Sequence, residues 1–434
     1  MKVLVVGSGG REHALAWKLS HSPIVSDLYC APGNPGITSL ADCVPIDPSD
    51  IVGLADFVEE LSVELTVVGP ELPLMLGLAD EFHKRELRVF GPTRAAAELE
   101  GSNAFATDFM NRYNIPTARY RIANSPDEAE TVVKSGELGW PMAEKADGLA
   151  AGTGVTVAAS KEEARAAIEK LMKERAHGSA GDRLVLEECL TGDEVSFFAL
   201  SDGSKVLPLA SAQDYKTAFD DDIGPNTGGM GCISPATILN AETLKSVLRE
   251  IVIPTISGMA EDGRRYQGIL YCGLMITKEG PKVLEYNVRF GDPEAQVILP
   301  RLKADLLPLL KEAADGQLGQ HKLEWSRDPA VTIVMASGGY PGHYETGKPI
   351  KGLDKDQGVE IAEAIHVFHS GTNLVNDELV TGGGRVLGVT GLGQNLKQAI
   401  ERSYKAVSGI RFEGEHYRKD IGRKALARIE RGTS

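Results

Sequence analysis

Glu285, Asn287 and Arg289 alternate through the run Glu285-Tyr286-Asn287-Val288-Arg289-Phe290-Gly291-Asp292-Pro293-Glu294. Alternate residues of a β-strand share a face, so this spacing sets a carboxylate beside an amide oxygen. Such a pair suits Mg²⁺, a hard cation that takes oxygen ligands and shares them with nucleotide phosphates. A guanidinium on the same face could pair with a carboxylate or a phosphate. A salt bridge on a sheet surface satisfies the same pattern, and the spacing leaves both readings open.

Four other stretches carry comparable signals. Lys145-Ala146-Asp147-Gly148-Leu149-Ala150-Ala151-Gly152-Thr153-Gly154 places a lysine at the end of a strand, before a loop of small residues. Small residues let backbone amides approach a polyphosphate, although a wide hairpin turn has the same composition. No lysine follows Gly152 or Gly154, so this is not a G-x-x-x-x-G-K-[ST] loop. Leu186-Glu187-Glu188-Cys189-Leu190, followed by Gly192-Asp193-Glu194, reads either as a nucleotide hinge or as a strand end with solvated acids. Asp222-Ile223-Gly224-Pro225-Asn226-Thr227-Gly228-Gly229-Met230-Gly231 holds four glycines within residues 224–231. Ordering them costs backbone entropy, which close approach of an anionic ligand would offset. Finally, Gly7-Ser8-Gly9-Gly10-Arg11-Glu12-His13 joins an apolar run to a helical pattern, where backbone N–H groups could meet a phosphate. The dinucleotide fingerprint requires glycine at position 12, which is Glu12 here, so an NAD site is disfavoured.

The elements that must position these residues fall into three groups. Over residues 1–100, short apolar runs (Lys2–Val6, Leu28–Ala31, Leu65–Val68, Val89-Phe90) alternate with helical patterns such as Ile51–Leu61. That alternation predicts a parallel sheet covered on both faces. From about Gly101 the pattern turns α+β. Helices are predicted at Phe105–Tyr113, from Ser125-Pro126, over Lys161–Arg175, Leu244–Ser257 (kinked at Pro254) and Ala295–Leu310. Strands are predicted at Met142–Lys145, Val155–Ala158, Leu184–Glu187, Glu194–Leu200, Lys205–Ala210, Ile269–Ile276 and Lys282–Tyr286. A third unit begins near Arg327-Asp328-Pro329, with strands at Val331–Ala336, Val367-Phe368 and Arg385–Thr390 and a helix at Asn395–Ser408. The division expected is 1–102, 103–326 and 327–434.

Composition narrows the function class. A hydrophobic fraction of 42% is that of a globular protein. The net charge of −15 offers nucleic acid no basic footprint. No run approaches the roughly 18 apolar residues of a membrane span, and Val3–Val6 is too short for a signal-peptide core. Five scattered cysteines without C-x-x-C spacing fit a reducing cytoplasm better than a disulfide framework or a zinc site.

In this order, the stretches resemble the ATP-grasp enzymes. Within them, Gly9-Gly10-Arg11-Glu12-His13-Ala14, Ala31-Pro32-Gly33-Asn34, Val68-Gly69-Pro70-Glu71, Gly224–Gly231, Arg289–Glu294, Gly338–Gly342 and Gly383–Val386 are similar to the phosphoribosylamine–glycine ligase family. The resemblance implies an N-terminal parallel α/β (pre-ATP-grasp) domain, a central ATP-grasp domain with a lid at about 123–190, and a small C-terminal α/β domain. It implies ATP-dependent joining of glycine to 5-phosphoribosylamine through a glycyl phosphate, in purine biosynthesis, by a cytoplasmic monomer or weak dimer without nucleic-acid or membrane partners. Carried over by motif, Glu285 and Asn287 hold Mg²⁺ or Mn²⁺. Lys145, Gly152, Gly154, Glu187, Cys189 (through its backbone) and Glu194 bind ATP. Arg289 and Asp292 face glycine and, with Lys145, are the catalytic residues. Gly9, Gly10, Arg11, Asp214, Lys216, Asn226, Thr227, Gly228, Gly229 and Met230 complete the substrate-binding set. The family usually has lysines where this chain has Asn103, Thr107 and Thr153. Those departures leave two alternatives, another carboxylate–amine pair or a nucleotide-binding relative with impaired catalysis.

Overall fold

A computed structural model of the chain describes residues 1–148, 154–176, 178–353 and 359–432. Five parallel strands form the N-terminal sheet, in the order Asp42–Cys43, Asp27–Pro32, Lys2–Gly7, Leu65–Val68, Val89–Phe90. Val3–Val6 are buried on both faces, which is why the sequence runs apolar there instead of alternating. The two faces feed two cores, and both extend into the central sheet: Val3 and Val5 share one with Phe198, Leu200 and Ile269, while Leu4 and Val6 share the other with Phe197, Ala199 and Tyr286.

The central region holds two four-stranded antiparallel sheets. One orders Val206–Pro208, Asp193–Asp202, Gln267–Thr277 and Gly280–Asn287. The other orders Tyr120–Ala123, Leu184–Glu188, Met142–Ala146 and Val155–Ala158, with its own core of Ala129, Val133, Met142, Ala164, Ile168 and Leu186. Ser125 starts the helix Pro126–Ser135 by accepting from the Glu128 N–H, with Pro126 in its first turn.

Two helices differ from expectation. The Ala295–Leu310 segment is broken: a helix over Glu294–Ile298 tightens into a 3₁₀ turn containing Pro300, Leu302 is extended, and a second helix, Leu306–Ala314, starts at an Asp305 cap. Proline removes a helical donor and Asp305 supplies a new start, so the apolar run is two elements. The charged helix from Lys161 is α-helical to Ile168 and widens into a π turn over Glu169–Lys173. A π turn over Leu248–Val252 likewise precedes Pro254, where the sequence predicts a kink.

A six-stranded antiparallel sheet forms the C-terminal part, ordered Gln213–Asp214, Gly231–Ser234, Ala330–Ala336, Arg385–Leu392, Ile365–His369, Glu360–Ala362. Its first two strands come from the central segment. The glycine-rich stretch between them is thereby strung across the junction of two sheets. No helix among the described residues is long and apolar enough to cross a membrane.

Candidate active site

Lys145 ends the Met142–Ala146 strand, and its ammonium crosses to the neighbouring sheet. Its Nζ donates to the Leu284 carbonyl at 2.7 Å and pairs with Glu187 Oε2 at 2.7 Å, both side chains being buried. Leu284 is the extra residue of a β-bulge, because Gly273 pairs with Glu285 while Leu274 pairs with Val283. The bulge breaks the strand's in–out alternation at this point and leaves Leu284 and Glu285 both partly exposed.

Glu285 is the centre of a charge array. Lys216 Nζ lies 3.2 Å from Glu285 Oε1 and 3.5 Å from Glu194 Oε2. The Lys216 ammonium, opposing burial and helped by Lys145, holds the Glu285 carboxyl at about 2. Glu285 in turn raises the lysine. An ammonium already sits against these carboxylates, so the donor set suits a cation. Asn287 shares the face, its Oδ1 accepting from Arg289 Nη2 at 3.0 Å. Two oxygens of different residues, one of them charged, fit Mg²⁺ or Mn²⁺ in kind. Arg289 also donates to Glu100 (2.6 Å) and Glu71 (3.1 Å). Burial pushes the Glu100 carboxyl up to about 7 against the pull of Arg289.

Behind this array lies a buried acidic network joining Asp214, chosen from sequence, to Glu294, which was not assigned a role. Glu294 accepts from Tyr271 (2.6 Å) and from Ser196 (3.1 Å). Burial, and then Glu294, raise the neighbouring Asp214 well above the carboxylate range. Gly229 closes the gap: it has φ +109°, and a Cβ there would lie 2.5 Å from Pro293 Cδ and 2.6 Å from Asp214 Oδ1. Only glycine fits that backbone and that space.

The N-terminal loop joins from the other side. Gly9 precedes the helix Gly10–Ser20, whose first turn carries Glu12. The Gly9 N–H donates to Glu12 Oε2 (2.6 Å) and the Arg11 N–H to Asp292 Oδ2 (3.2 Å). A carboxylate thus already caps the helix start where a dinucleotide's pyrophosphate would need the amides. The Arg11 side chain pairs with Glu12 and donates to the Phe290 carbonyl. A Cβ on Gly10 would meet Gln296 at 2.4 Å and Ser370 at 2.5 Å, so segments of all three parts of the chain converge on this turn. Arg385, from the C-terminal sheet, donates to the Gly228 and Asp292 carbonyls at 2.6 and 2.7 Å. Arg385 and Arg11 hold the Asp292 carboxyl below its usual range despite burial.

The contacts above link most of the residues chosen from sequence into one array: Lys145, Glu187, Glu194, Asp214, Lys216, Glu285, Asn287, Arg289, Asp292, Gly228, Gly229 and Gly9–Arg11. Thr227 and Met230 tie its loop to the preceding strand, Thr227 Oγ1 donating to the Lys216 carbonyl and Met230 N–H to that of Tyr215. Cys189 lies just beyond the Leu184–Glu188 strand, its thiol directed to the Leu190 carbonyl. Asn226 is exposed. Gly154 accepts from the Ala146 N–H, whereas Gly152 and Thr153 lie outside the described residues. Asn103 donates to the Ala146 carbonyl at 2.7 Å, and Ser102 Oγ and the Ala104 N–H both bond Asp147. The lysine strand is thus tied to the start of the Asn103–Arg112 helix by neutral groups. Arg385 and Glu294 stood within motif strings; what the strings did not reveal was the reach of Arg385 across domains and the bonding of Glu294 to Ser196 and Tyr271.

The chain matches three descriptions of one family: Phosphoribosylglycinamide synthetase, N domain over residues 1–100, its ATP-grasp (A) domain over 101–295, and its C domain over 330–424. It is 49% identical to a phosphoribosylamine–glycine ligase of Mesorhizobium japonicum over 428 residues, 99% of each chain. It is 48% identical to one of Escherichia coli over 433 residues, again 99% of each. Among solved structures it is similar to a phosphoribosylamine–glycine ligase of Thermotoga maritima, with TM-score 0.83, 33% identity, and 97% and 100% of the two chains covered. A biotin carboxylase domain from Hydrogenobacter thermophilus, solved with MgADP, shares the fold alone at TM-score 0.73 and 17% identity, with 96% of this chain and 91% of that chain covered. The chain belongs to the phosphoribosylglycinamide synthetase family, also named phosphoribosylamine–glycine ligase.

Proposed function

We propose that this chain joins glycine to 5-phosphoribosylamine at the expense of ATP, giving glycinamide ribonucleotide, ADP and phosphate, as a cytoplasmic step of purine biosynthesis. The reading is carried by one juxtaposition: the lid lysine Lys145 lies against the Leu284 carbonyl, next to Glu285 and in the strand that also bears Asn287. A phosphate tail held by the lysine would meet a cation held by those two oxygens.

A carboxylate is a poor electrophile. Transfer of the ATP γ-phosphoryl to glycine's carboxylate gives it a leaving group, and the amine of phosphoribosylamine then displaces phosphate. Catalysis of this kind is mostly positioning and charge stabilisation. Glu285 and Asn287 would hold Mg²⁺, which would neutralise the phosphate oxygens. Lys145 steadies the phosphate tail, while Glu187, Glu194 and the Cys189 backbone hold the adenosine. The Arg289 Nη1, 3.5 Å from the Phe290 carbonyl and the longest of its contacts, is the donor offered to glycine's carboxylate, with Asp292 also facing glycine. Gly9–Arg11, Asp214, Lys216 and the 226–230 loop form the phosphoribosylamine side. The sheet spanning Tyr120–Glu188 acts as a lid that keeps water from the acyl phosphate.

The test is ADP release measured with each substrate omitted in turn. Turnover that requires both glycine and phosphoribosylamine is the expected result. ADP release that ignores glycine but follows another carboxylic acid would reassign the substrate. ATP binding without turnover under any combination would identify an impaired relative.

A further inference from the structure

The ribbon entering the phosphoribosylamine side of the cleft is an unpromising piece of backbone. Thr217–Phe219 and Ile223–Asn226 pair only at Thr217 with Asn226 and Phe219 with Ile223, around a turn in which Asp221 and Asp222 have φ +61° and +57°. Residues 221–226 are exposed. A two-stranded ribbon of this size has little stability of its own, and left-handed backbone at two aspartates adds strain. Yet its two ends are the residues the site needs. Thr217 follows Lys216, and Asn226 leads into Thr227–Met230.

The C-terminal segment from His416 to Lys424 holds this ribbon along its length. Arg418 is fully buried. Its guanidinium donates to the Thr217 carbonyl (3.2 Å), Thr217 Oγ1 (2.7 Å), Asp222 Oδ1 (2.8 Å) and both oxygens of Asp420 (2.8 and 2.7 Å). It lies 5.2 Å from the centre of the Tyr215 ring. Around it, the Asp221 N–H donates to Asp420, the Lys419 N–H to Asp220 and the Gly422 N–H to the Tyr215 hydroxyl. His416 Nε2 bonds the Ala218 carbonyl, and Arg423 and Lys424 pair with Asp221 and Asp222. Every residue from Tyr215 to Asp222 except Lys216 and Phe219 thus has a polar or ring–cation contact with this segment, and the Phe219 ring packs against that of His416.

We propose that the 416–424 segment is a strap that positions the ribbon for phosphoribosylamine, with Arg418 as its principal positioning residue. Arg418 touches no catalytic atom. It fixes the backbone on the C-terminal side of Lys216, and the Lys216 carbonyl accepts both the N–H and Oγ1 of Thr227, setting the height of Gly228 and Gly229. A guanidinium suits the task because its planar fork can bond a carbonyl, a hydroxyl and two carboxylates at once, which a lysine cannot. The inference rests on the assignment of the 214–230 loop to phosphoribosylamine.

The experiment is steady-state kinetics in the reverse direction, with glycinamide ribonucleotide, ADP and inorganic phosphate, which avoids the labile amine substrate. It is paired with hydrogen–deuterium exchange over residues 215–228. Arg418→Lys and Arg418→Met are the direct variants. Asp222→Asn and Thr217→Val, at the partly exposed end of the network, keep the test valid if a buried substitution prevents folding. Loss of the strap is expected to raise KM for glycinamide ribonucleotide on the order of 10-fold while KM for ADP stays within about 2-fold. Exchange should speed up in the ribbon alone, and Arg418→Lys should recover only part of the loss. Wild-type turnover with unchanged nucleotide-substrate KM and unchanged ribbon exchange in the variants would overturn the strap. A wild-type enzyme that ignores glycinamide ribonucleotide would instead remove the functional reading, and this inference with it.

Discussion

Glu144 and Glu285 are two glutamates on strands of different antiparallel sheets, one next to Lys145 and the other next to Leu284, whose carbonyl Lys145 contacts. Glu285 faces a cleft where Lys216 holds it ionised at about 2. Glu144 faces the lid core, among Ala129, Val133, Met142, Ala164 and Leu186, and neither of its oxygens has a hydrogen-bond partner among the described residues. Burial alone pushes its carboxyl up to about 8. The same side chain is an anion in one place and a neutral acid in the other because a paired charge is stabilised and an unpaired buried one is not. The central side of the cleft satisfies its charges across domains. The lid carries an uncompensated acid in its core.

Removing each glutamate is the sharpest way to break the contrast. Glu285→Gln should lower kcat by about 10²–10³, as for loss of one transition-state charge contact, and should raise the Mg²⁺ concentration needed for half-maximal rate. Glu144→Val should leave kcat near the wild-type value and stabilise the fold. Its sign follows from linkage: the folded carboxyl binds its proton more tightly than the unfolded one, so stability falls as pH rises from about 4.5 to about 8. The slope is about 1.4 kcal/mol per pH unit. Thermal unfolding of the two proteins should therefore diverge with increasing pH and converge near pH 4.5. Parallel curves would show that Glu144 is paired.

Adding positive charge on the phosphate side is the next test. Asn103→Lys combined with Thr153→Lys should raise kcat about 10- to 100-fold if phosphate-side charge limits the rate. An unchanged rate would mean that Lys145 and Lys216 already suffice. The smallest effect is expected at the packing of the first helix on the C-terminal sheet. Burial lowers His366 and His369 to about 4, and Glu360 only partly offsets this at His366. Stability should fall as pH drops from about 6.5 toward 4, because the unfolded chain takes up protons the folded one refuses. His366 stacks on Phe368, and its Nδ1 has no hydrogen-bond partner among the described residues. His366→Phe should therefore recover about 1 kcal/mol between pH 7 and pH 5.5, read from denaturant midpoints.

Much of this was legible in sequence where the cause is local. Strand alternation carried Glu285 and Asn287, glycine clustering marked the loops, and buried parallel strands announced themselves as unbroken apolar runs. What depends on pairing between distant segments was not. The salt bridge of Lys145 with Glu187 needs two strands of the lid to be adjacent. The reach of Arg385 to Asp292 needs the C-terminal sheet to borrow strands from the central segment. Met142–Lys145 read simply as a strand, and the sequence did not mark which of its faces would meet the lid core. The Ala295–Leu310 run failed because apolar residues at helical spacing outweighed Pro300 and Asp305.

The central claim is that one cation joins the Glu285 strand to the nucleotide held by Lys145. Anomalous diffraction from crystals grown with ADP and Mn²⁺ tests it most directly. The expected result is a single peak bonded to Glu285 and to the Asn287 amide oxygen, with Lys145 Nζ turned from Leu284 to a phosphate oxygen. A Mn²⁺ peak on the phosphates alone, with both side chains turned away, would contradict it.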